Sequence, residues 1–256
     1  MLSRRDRLLL KVRRKLTLMT NRRPFGTIGI AEFPKAGLTM FTHGLVDALG
    51  QLGTPPNEAT WFNQNLVIRD VETAGGPGPS DFRFQFEKTH RQNFLEYNSV
   101  FLMRRDWRTH MASWFDYSRL HFGWEGDFAA FLATPGGVAA YERFMHSYGR
   151  GAAPWQRIVV IDYEEMLTDA AAVYRRVVAH LGYGNGPEAI EAAQRAAERV
   201  ARAEMVAAEE FFAADAIARR EVFVKPQARD TGGQWEGIDP SLIARLEAAY
   251  AVKRSD

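Results

Sequence analysis

Three groups of residues in this chain have the types and spacings that handle a multiply charged anion and a proton. The first is the turn Pro34-Lys35-Ala36-Gly37-Leu38-Thr39, which follows the apolar run from Thr27 to Phe33. A short turn with Gly37 between a strand and a helix aims several backbone N–H groups at one point. Those donors, with the positive end of the helix dipole, bind a phosphate-like anion. Lys35 adds a point charge there and Thr39 a hydroxyl, although plain structural turns also contain Lys and Gly. The second group is Phe86-Glu87-Lys88-Thr89-His90. An imidazole, with an ordinary pKa of about 6.5, is the natural general base near neutral pH. Open α/β sheets place ligands at the C-terminal ends of their strands, yet a lone His at a strand end is more often structural. The third group is Arg105 after the apolar run Ser99 to Met103, with Ser113 eight positions later. A planar guanidinium suits phosphate oxygens, and a Ser hydroxyl adds a further bond. Arg104 competes with Arg105 by one register, but the spacing to Ser113 favours Arg105.

The elements that must position these residues are legible as alternating β-type and helical patterns, which predict an α/β fold with a central parallel sheet flanked by helices. Strands are expected at Thr27 to Phe33, at Phe82 to Phe86 and on to His90, at Ser99 to Met103, and at Arg157 to Tyr163. Helices are expected from the Lys35 turn to about Leu52, from about Trp107 to Leu120, then to about Tyr148, and after Tyr163 to about Arg220. The Ala/Glu/Arg-rich piece from Pro187 to Glu210 reads as a packing helix pair, and a last helix runs from Pro240 to Val252. The Pro/Gly-rich stretch inside Gly53 to Ser80 reads as a mobile loop or lid.

At 256 residues the chain fits one large α/β domain over 24–256, preceded by a basic segment over 1–23. It has no cysteine, which excludes disulfides and thiolate chemistry and permits a reducing cytoplasm. No run approaches the roughly 20 apolar residues that span a bilayer, and no secretory signal pattern is evident. A cytoplasmic protein is the expectation. Residues 1–23 hold nine Lys or Arg against Asp6, a net +8, so the rest of the +2 chain is −6. Leu8, Leu9, Val12 and Leu16 fall at helical spacing among those charges, giving a basic amphipathic helix. It would either touch an anionic membrane surface or pack with its basic face in solvent, and the second reading is favoured. Nothing after Arg23 continues the basic excess, which argues against a nucleic-acid partner.

The turn is not a nucleotide-triphosphatase loop, which needs Lys directly after its last Gly, whereas Lys35 precedes Gly37 by two positions. It resembles instead the 5′-phosphosulfate loop P-K-[SA]-G-T-T-W of the sulfotransferases that use 3′-phosphoadenosine 5′-phosphosulfate (PAPS). Leu38 replaces a Thr of that loop, and Met40 the Trp that stacks on adenine in many members. Lys88-Thr89-His90 matches the family's K-[ST]-H. Arg105-Asp106 through Ser113 matches its 3′-phosphate motif R-[DN]-P-x-[DN]-x-x-x-S, with Trp107 in place of Pro and Thr109 in place of the second Asp or Asn. Asp162-Tyr163-Glu164-Glu165 is similar to [RF]-Y-E-D. Arg229-Asp230-Thr231-Gly232-Gly233-Gln234-Trp235 is similar to R-K-G-x-x-G-[DN]-W, with Ala228 and Asp230 departing from it. The five matches run in family order from Thr27 to Trp235, nearly the whole chain.

The resemblance implies a P-loop-like sulfotransferase fold and in-line transfer of a sulfuryl group from PAPS to a hydroxyl or amine. In it His90 takes the acceptor proton, Lys35 neutralises the leaving phosphate oxygen, and Lys88 steadies the sulfuryl oxygens. Lys35, Ala36, Gly37, Leu38 and Thr39 would hold the 5′-phosphate, Arg105 and Ser113 the 3′-phosphate. Tyr163 would lie near adenine, and Arg229 and Gly233 would close over the nucleotide. No metal is required, and no metal-ligand spacing is present in the sequence. The acceptor would be a small molecule, a glycan or a lipid. Trp61, Phe62, Trp114, Phe115, Phe122 and Trp124 could line an apolar acceptor pocket or pack in the core. A kinase-like enzyme is the main alternative, because Arg157 to Asp162 resembles a strand ending in a Mg²⁺-binding Asp. A non-catalytic nucleotide- or membrane-binding module is the other.

Overall fold

The computed structural model describes residues 27–53, 68–70, 85–93, 97, 99–152, 156–210 and 232–251. Five parallel strands form one sheet in the order β2-β3-β1-β4-β5. They are β1 (Thr27–Glu32), β2 (Ile68–Asp70), β3 (Gln85–Thr89), β4 (Ser99–Arg104) and β5 (Arg157–Asp162). The parallel α/β fold is as the sequence predicts. The central pairings put Ala31 opposite both Thr89 and Leu102, so the ends of β1, β3 and β4 lie side by side.

Both faces of the sheet are covered around β1, β4 and β5, which explains why these three strands read as nearly continuous apolar runs. Side chains alternate between two cores along each strand. Phe101, Met103 and Ile161 enter one core; Val100, Leu102, Ile158 and Val160 enter the other. The first core is closed by α1 (Leu38–Gln51), α5 (Tyr163–Val178) and α6 (Pro187–Glu210). The second is closed by α2 (Trp107–Phe122), α3 (Phe128–Ala133), α4 (Val138–Tyr148) and α7 (Pro240–Tyr250). A π-helical turn, Ala179–Tyr183, links α5 to α6.

Three expectations are revised. Pro187 to Glu210 is one continuous helix of 24 residues. Ala189, Ala192, Ala193, Ala196 and Val200 are buried along it, a stripe that nothing in the sequence interrupts. The stretch read as a loop between Gly53 and Ser80 contains β2, whose three residues pair with β3. Tyr163 opens α5 and does not end β5, because the chain turns as soon as Asp162 is in place. The basic segment 1–23, Trp61, Phe62, Phe82, Phe84 and residues 211–231 lie outside the described residues.

Candidate active site

The loop from Phe33 to Gly37 joins the end of β1 to α1. Two of its residues have left-handed backbone, Lys35 at φ 81° and Gly37 at φ 97°. For Lys35 such a conformation costs about 1–3 kcal/mol and persists only where the surroundings impose it. Gly37 is required twice over: by its φ, and because a Cβ there would run into the Tyr163 ring. Leu38 and Ala36 are buried beneath the loop, and Phe41, Leu45 and Leu49 anchor α1 in the core. The apolar side chain at position 38 thus serves packing, and its main-chain N–H faces Glu32.

Glu32, at the last position of β1, was not singled out by sequence. Its Oε2 accepts from the main-chain N–H of Ala36 and of Leu38, both at 3.0 Å. Its Oε1 is 3.7 Å from His90 Nδ1, and its carbonyl oxygen is 3.2 Å from the same nitrogen. Burial pushes the carboxyl up from its ordinary value, against the opposing pull of His90, the Leu38 N–H, Lys35 and the Ala36 N–H. His90 therefore sits beside the loop, with about a third of its side chain exposed. Lys35 and His90 occupy the same end of the sheet. With Nδ1–H donating to the Glu32 carbonyl, the lone pair of the ring lies on Nε2.

Arg105 leaves the end of β4 and crosses to the loop. Its Nη1 donates to the Lys35 carbonyl at 3.3 Å, its Nε donates to Thr109 Oγ1 at 3.2 Å, and its guanidinium lies 4.7 Å from the Tyr163 ring centre. Lys35 Nζ lies 5.0 Å from the Tyr117 ring centre. On α2, Thr109, Ser113 and Tyr117 repeat every four residues and share a face. Ser113, half-buried, is thus between a residue that holds Arg105 and one that meets Lys35. Lys35, Gly37, Arg105, Tyr163 and His90 are gathered around one loop.

Arg104, the rival of Arg105, belongs elsewhere. It pairs with Asp162 through two hydrogen bonds of 2.5 and 3.0 Å, directly across the β4–β5 register, and donates to the Tyr250 carbonyl at 3.2 Å. Burial alone would lower its pKa, but the bonds to Asp162 outweigh that and raise it. Asp162, the residue that suggested a Mg²⁺ site, has both carboxylate oxygens on this guanidinium.

The remaining predicted residues are placed less centrally. Lys88 is half-buried on the α1 side of β3, where its charge and that of Arg199 add to burial in lowering His43 to a pKa of about 4. Thr39 contributes backbone to the first turn of α1. Gly233 is exposed in the 3-10 turn Gly232–Trp235, and Arg229 lies outside the described residues. Trp235 packs edge-on against Trp107 and Phe128, each at 4.9 Å. The two residues that replace or match family landmarks thus dock the C-terminal turn on the start of α2. Phe115 is core, whereas Trp114, Tyr117 and Phe122 form an aromatic group beside Lys35, with Phe122 68% exposed.

His110 is a second residue the sequence reading missed. It is fully buried on α2, and its Nε2–H reaches the carbonyls of Pro34 at 2.8 Å and Phe33 at 3.2 Å. Burial lowers its pKa to about 4, so the ring is neutral at pH 7. Among the described residues no group of three or more His, Asp or Glu is arranged to hold a metal ion. No described helix is long and apolar enough to cross a membrane.

No protein-family model and no curated protein sequence matches the chain. Among solved structures, it is similar to mouse sulfotransferase SULT7A1 complexed with PAP, with a TM-score of 0.49 and 17% identity over 92% of this chain and 86% of that one. It is similar also to retinol dehydratase in complex with androsterone and the inactive cofactor PAP, with a TM-score of 0.51 and 17% identity over 93% of this chain and 84% of that one. The likeness to retinol dehydratase is one of fold, a parallel sheet flanked by helices.

Proposed function

We propose that the protein is a sulfotransferase that moves a sulfuryl group from PAPS to a hydroxyl or amine of an acceptor. The observation that carries this reading is the convergence of Lys35, Arg105, Tyr163 and His90 on the Gly37 loop at the C-terminal end of a parallel sheet. A loop with a positive helix end, an ammonium and a guanidinium suits a nucleotide phosphorylated at both ends. Solved structures of the same fold carry PAP, which has that pattern of phosphates, and one of them carries androsterone as well. The engagement of Asp162 with Arg104 and the placement of Lys35 before Gly37 weigh against a Mg²⁺-dependent kinase.

PAPS, when bound, supplies the sulfuryl group. Each residue then has a role set by its chemistry. Nε2 of His90 accepts the proton of the acceptor, so that the acceptor oxygen or nitrogen attacks with its lone pair free. Lys35 neutralises charge on the 5′-phosphate oxygen that is released, and Lys88 neutralises charge on the sulfuryl oxygens. Arg105 and Ser113 bind the 3′-phosphate, Arg105 stacks over Tyr163 at the same time, and Arg229 and Gly233 close the nucleotide site. Positioning and electrostatics do most of the work in such transfers, and no metal is called for. The acceptor is a small molecule, taken up beside the aromatic group of Trp114, Tyr117 and Phe122. We place the protein in the cytoplasm, as one domain from 24 to 256.

The test is binding of PAP by calorimetry, compared with ATP and Mg²⁺, followed by transfer of labelled sulfate from PAPS to pooled acceptors. PAP is expected to bind and ATP with Mg²⁺ not to. In the transfer assay His90→Ala should lower turnover at saturating PAPS by about 10²–10⁴-fold. Near-full turnover in that variant would remove His90 from its role, and absence of PAP binding would end the proposal.

A further inference from the structure

Glu32 is a buried carboxyl group whose side chain has no part in the reading above. Its side chain is 9% exposed, and one of its oxygens collects two main-chain N–H groups of the nucleotide loop, those of Ala36 and Leu38. Convergent main-chain N–H groups on one oxygen are how such loops take a phosphate. Each N–H has one hydrogen, and while it serves Glu32 it does not serve a ligand. The start of α1 has no side-chain cap of its own, with Gly37 at the N-cap position. The anion that satisfies it comes from six residues upstream of Leu38.

We infer that Glu32 is an internal anion that occupies the loop while nucleotide is absent, and that on arrival of the 5′-phosphate it gives up Ala36 and Leu38 and turns to His90. The inference rests on the proposed binding of PAPS. Two anions in a poorly hydrated site repel strongly and cannot share the same donors. The direction of release is set by geometry. Oε1 already lies 3.7 Å from His90 Nδ1, and the Glu32 carbonyl, 3.2 Å from that nitrogen, keeps the Nδ1–H aimed at this residue. A small rotation of the carboxylate closes the gap. The ring is then held by two acceptors of one residue, and Nε2 is presented to the acceptor substrate in a fixed orientation. Glu32 is thus a positioning residue: it readies His90 only when the loop is filled.

The experiment is calorimetric titration of PAP into the wild-type protein and into Glu32→Gln, with ¹⁵N spectra of the His90 ring recorded before and after PAP. A neutral amide competes less well for the loop than a carboxylate, so the variant should bind PAP about tenfold more tightly. Addition of PAP should shift the His90 Nδ1–H signal in the wild type and leave it nearly unmoved in the variant. A merely structural Glu32 gives the opposite pattern, weaker PAP binding with the His90 signal unaffected. Equal or weaker affinity in the variant, with PAP binding intact in the wild type, overturns this inference alone. No PAP binding by either protein overturns the proposed function with it. Should Glu32→Gln fail to fold, a crystal structure of the wild-type PAP complex decides: carboxylate oxygens still within hydrogen-bonding distance of Ala36 N and Leu38 N sink the idea, and a carboxylate moved to His90 supports it.

Discussion

The two helices that begin at the candidate site, α1 and α2, satisfy their first N–H groups in opposite ways. At α2 the cap is local: the Asp106 side chain accepts from Arg108 N and Thr109 N, both at 3.1 Å, and its own N–H donates to Glu164 at 3.0 Å. At α1 the N-cap is Gly37, which has no side chain, and a carboxylate from the preceding strand fills the gap. The difference teaches where each half of a nucleotide could be held. A helix start consumed by its own Asp has few main-chain donors left, so an anion near α2 must be met by side chains, Arg105 foremost. A helix start closed by a remote group can be reopened, so an anion near α1 can be met by the main chain. His110 joins the two starts by donating from α2 to the carbonyls of Phe33 and Pro34 in the α1 loop.

Three measurements would break or sharpen this comparison. The largest effect concerns the link. His110 has a pKa of about 4 in the folded chain, where burial keeps it neutral, against about 6.5 when unfolded. The unfolded chain therefore binds the proton more readily between those values. Stability is complete above about pH 6.5 and falls as the pH drops toward 4, by roughly 3 kcal/mol from this residue. Urea melts across that window should show the fall, and His110→Leu should make it shallower, with His43, also held near 4, supplying part of the rest, while lowering stability at pH 7. An unchanged slope in the variant would mean that the link is not what senses acid.

Next comes Arg105→Gln, which removes the charge without emptying the space. PAP affinity should weaken by about 10- to 100-fold, the worth of charge-assisted bonds to phosphate, with little change in melting temperature. The smallest effect is at the α2 cap. Asp106→Ala should cost about 1 kcal/mol of stability in a denaturant melt while PAP affinity changes little. If Asp106→Ala weakened PAP more than Arg105→Gln did, the main chain at α2 would be part of the anion site and the contrast with α1 would fail.

The sequence made the loop and the α2 start visible for one reason: each is a short run of neighbours with a specific chemistry. Lys35, Gly37, Arg105 and His90 could be picked out singly, and the order of the motifs fixed the expected fold. The choice between Arg104 and Arg105 was harder. The spacing to Ser113 favours Arg105, and in the structure strand alternation sends Arg104 to the same face as Asp162, directly across β4 and β5. Glu32 and His110 escaped notice because neither belongs to a local pattern. One acidic residue at the end of an apolar strand and one His in an aromatic helix are common; the near partners of Glu32 are main-chain N–H groups, which leave no sequence signature, and its contact with His90 and that of His110 with Pro34 span 58 and 76 positions. The short β2 was hidden for a related reason, since three residues carry too little periodicity to announce a strand.

By itself the sequence determined the parallel α/β architecture, because two-sided burial writes β1, β4 and β5 as apolar runs and the turn after β1 as a cluster of Gly, Pro and charge. It also determined which residue types stand at the strand ends. Only the tertiary structure decided which of them meet. Side-by-side parallel strands bring residues far apart in the chain to within a few ångströms, and that pairing depends on register, which no local pattern records. The approach of Glu32 to His90, the tie between the two helix starts and the division of labour between the two arginines all follow from register.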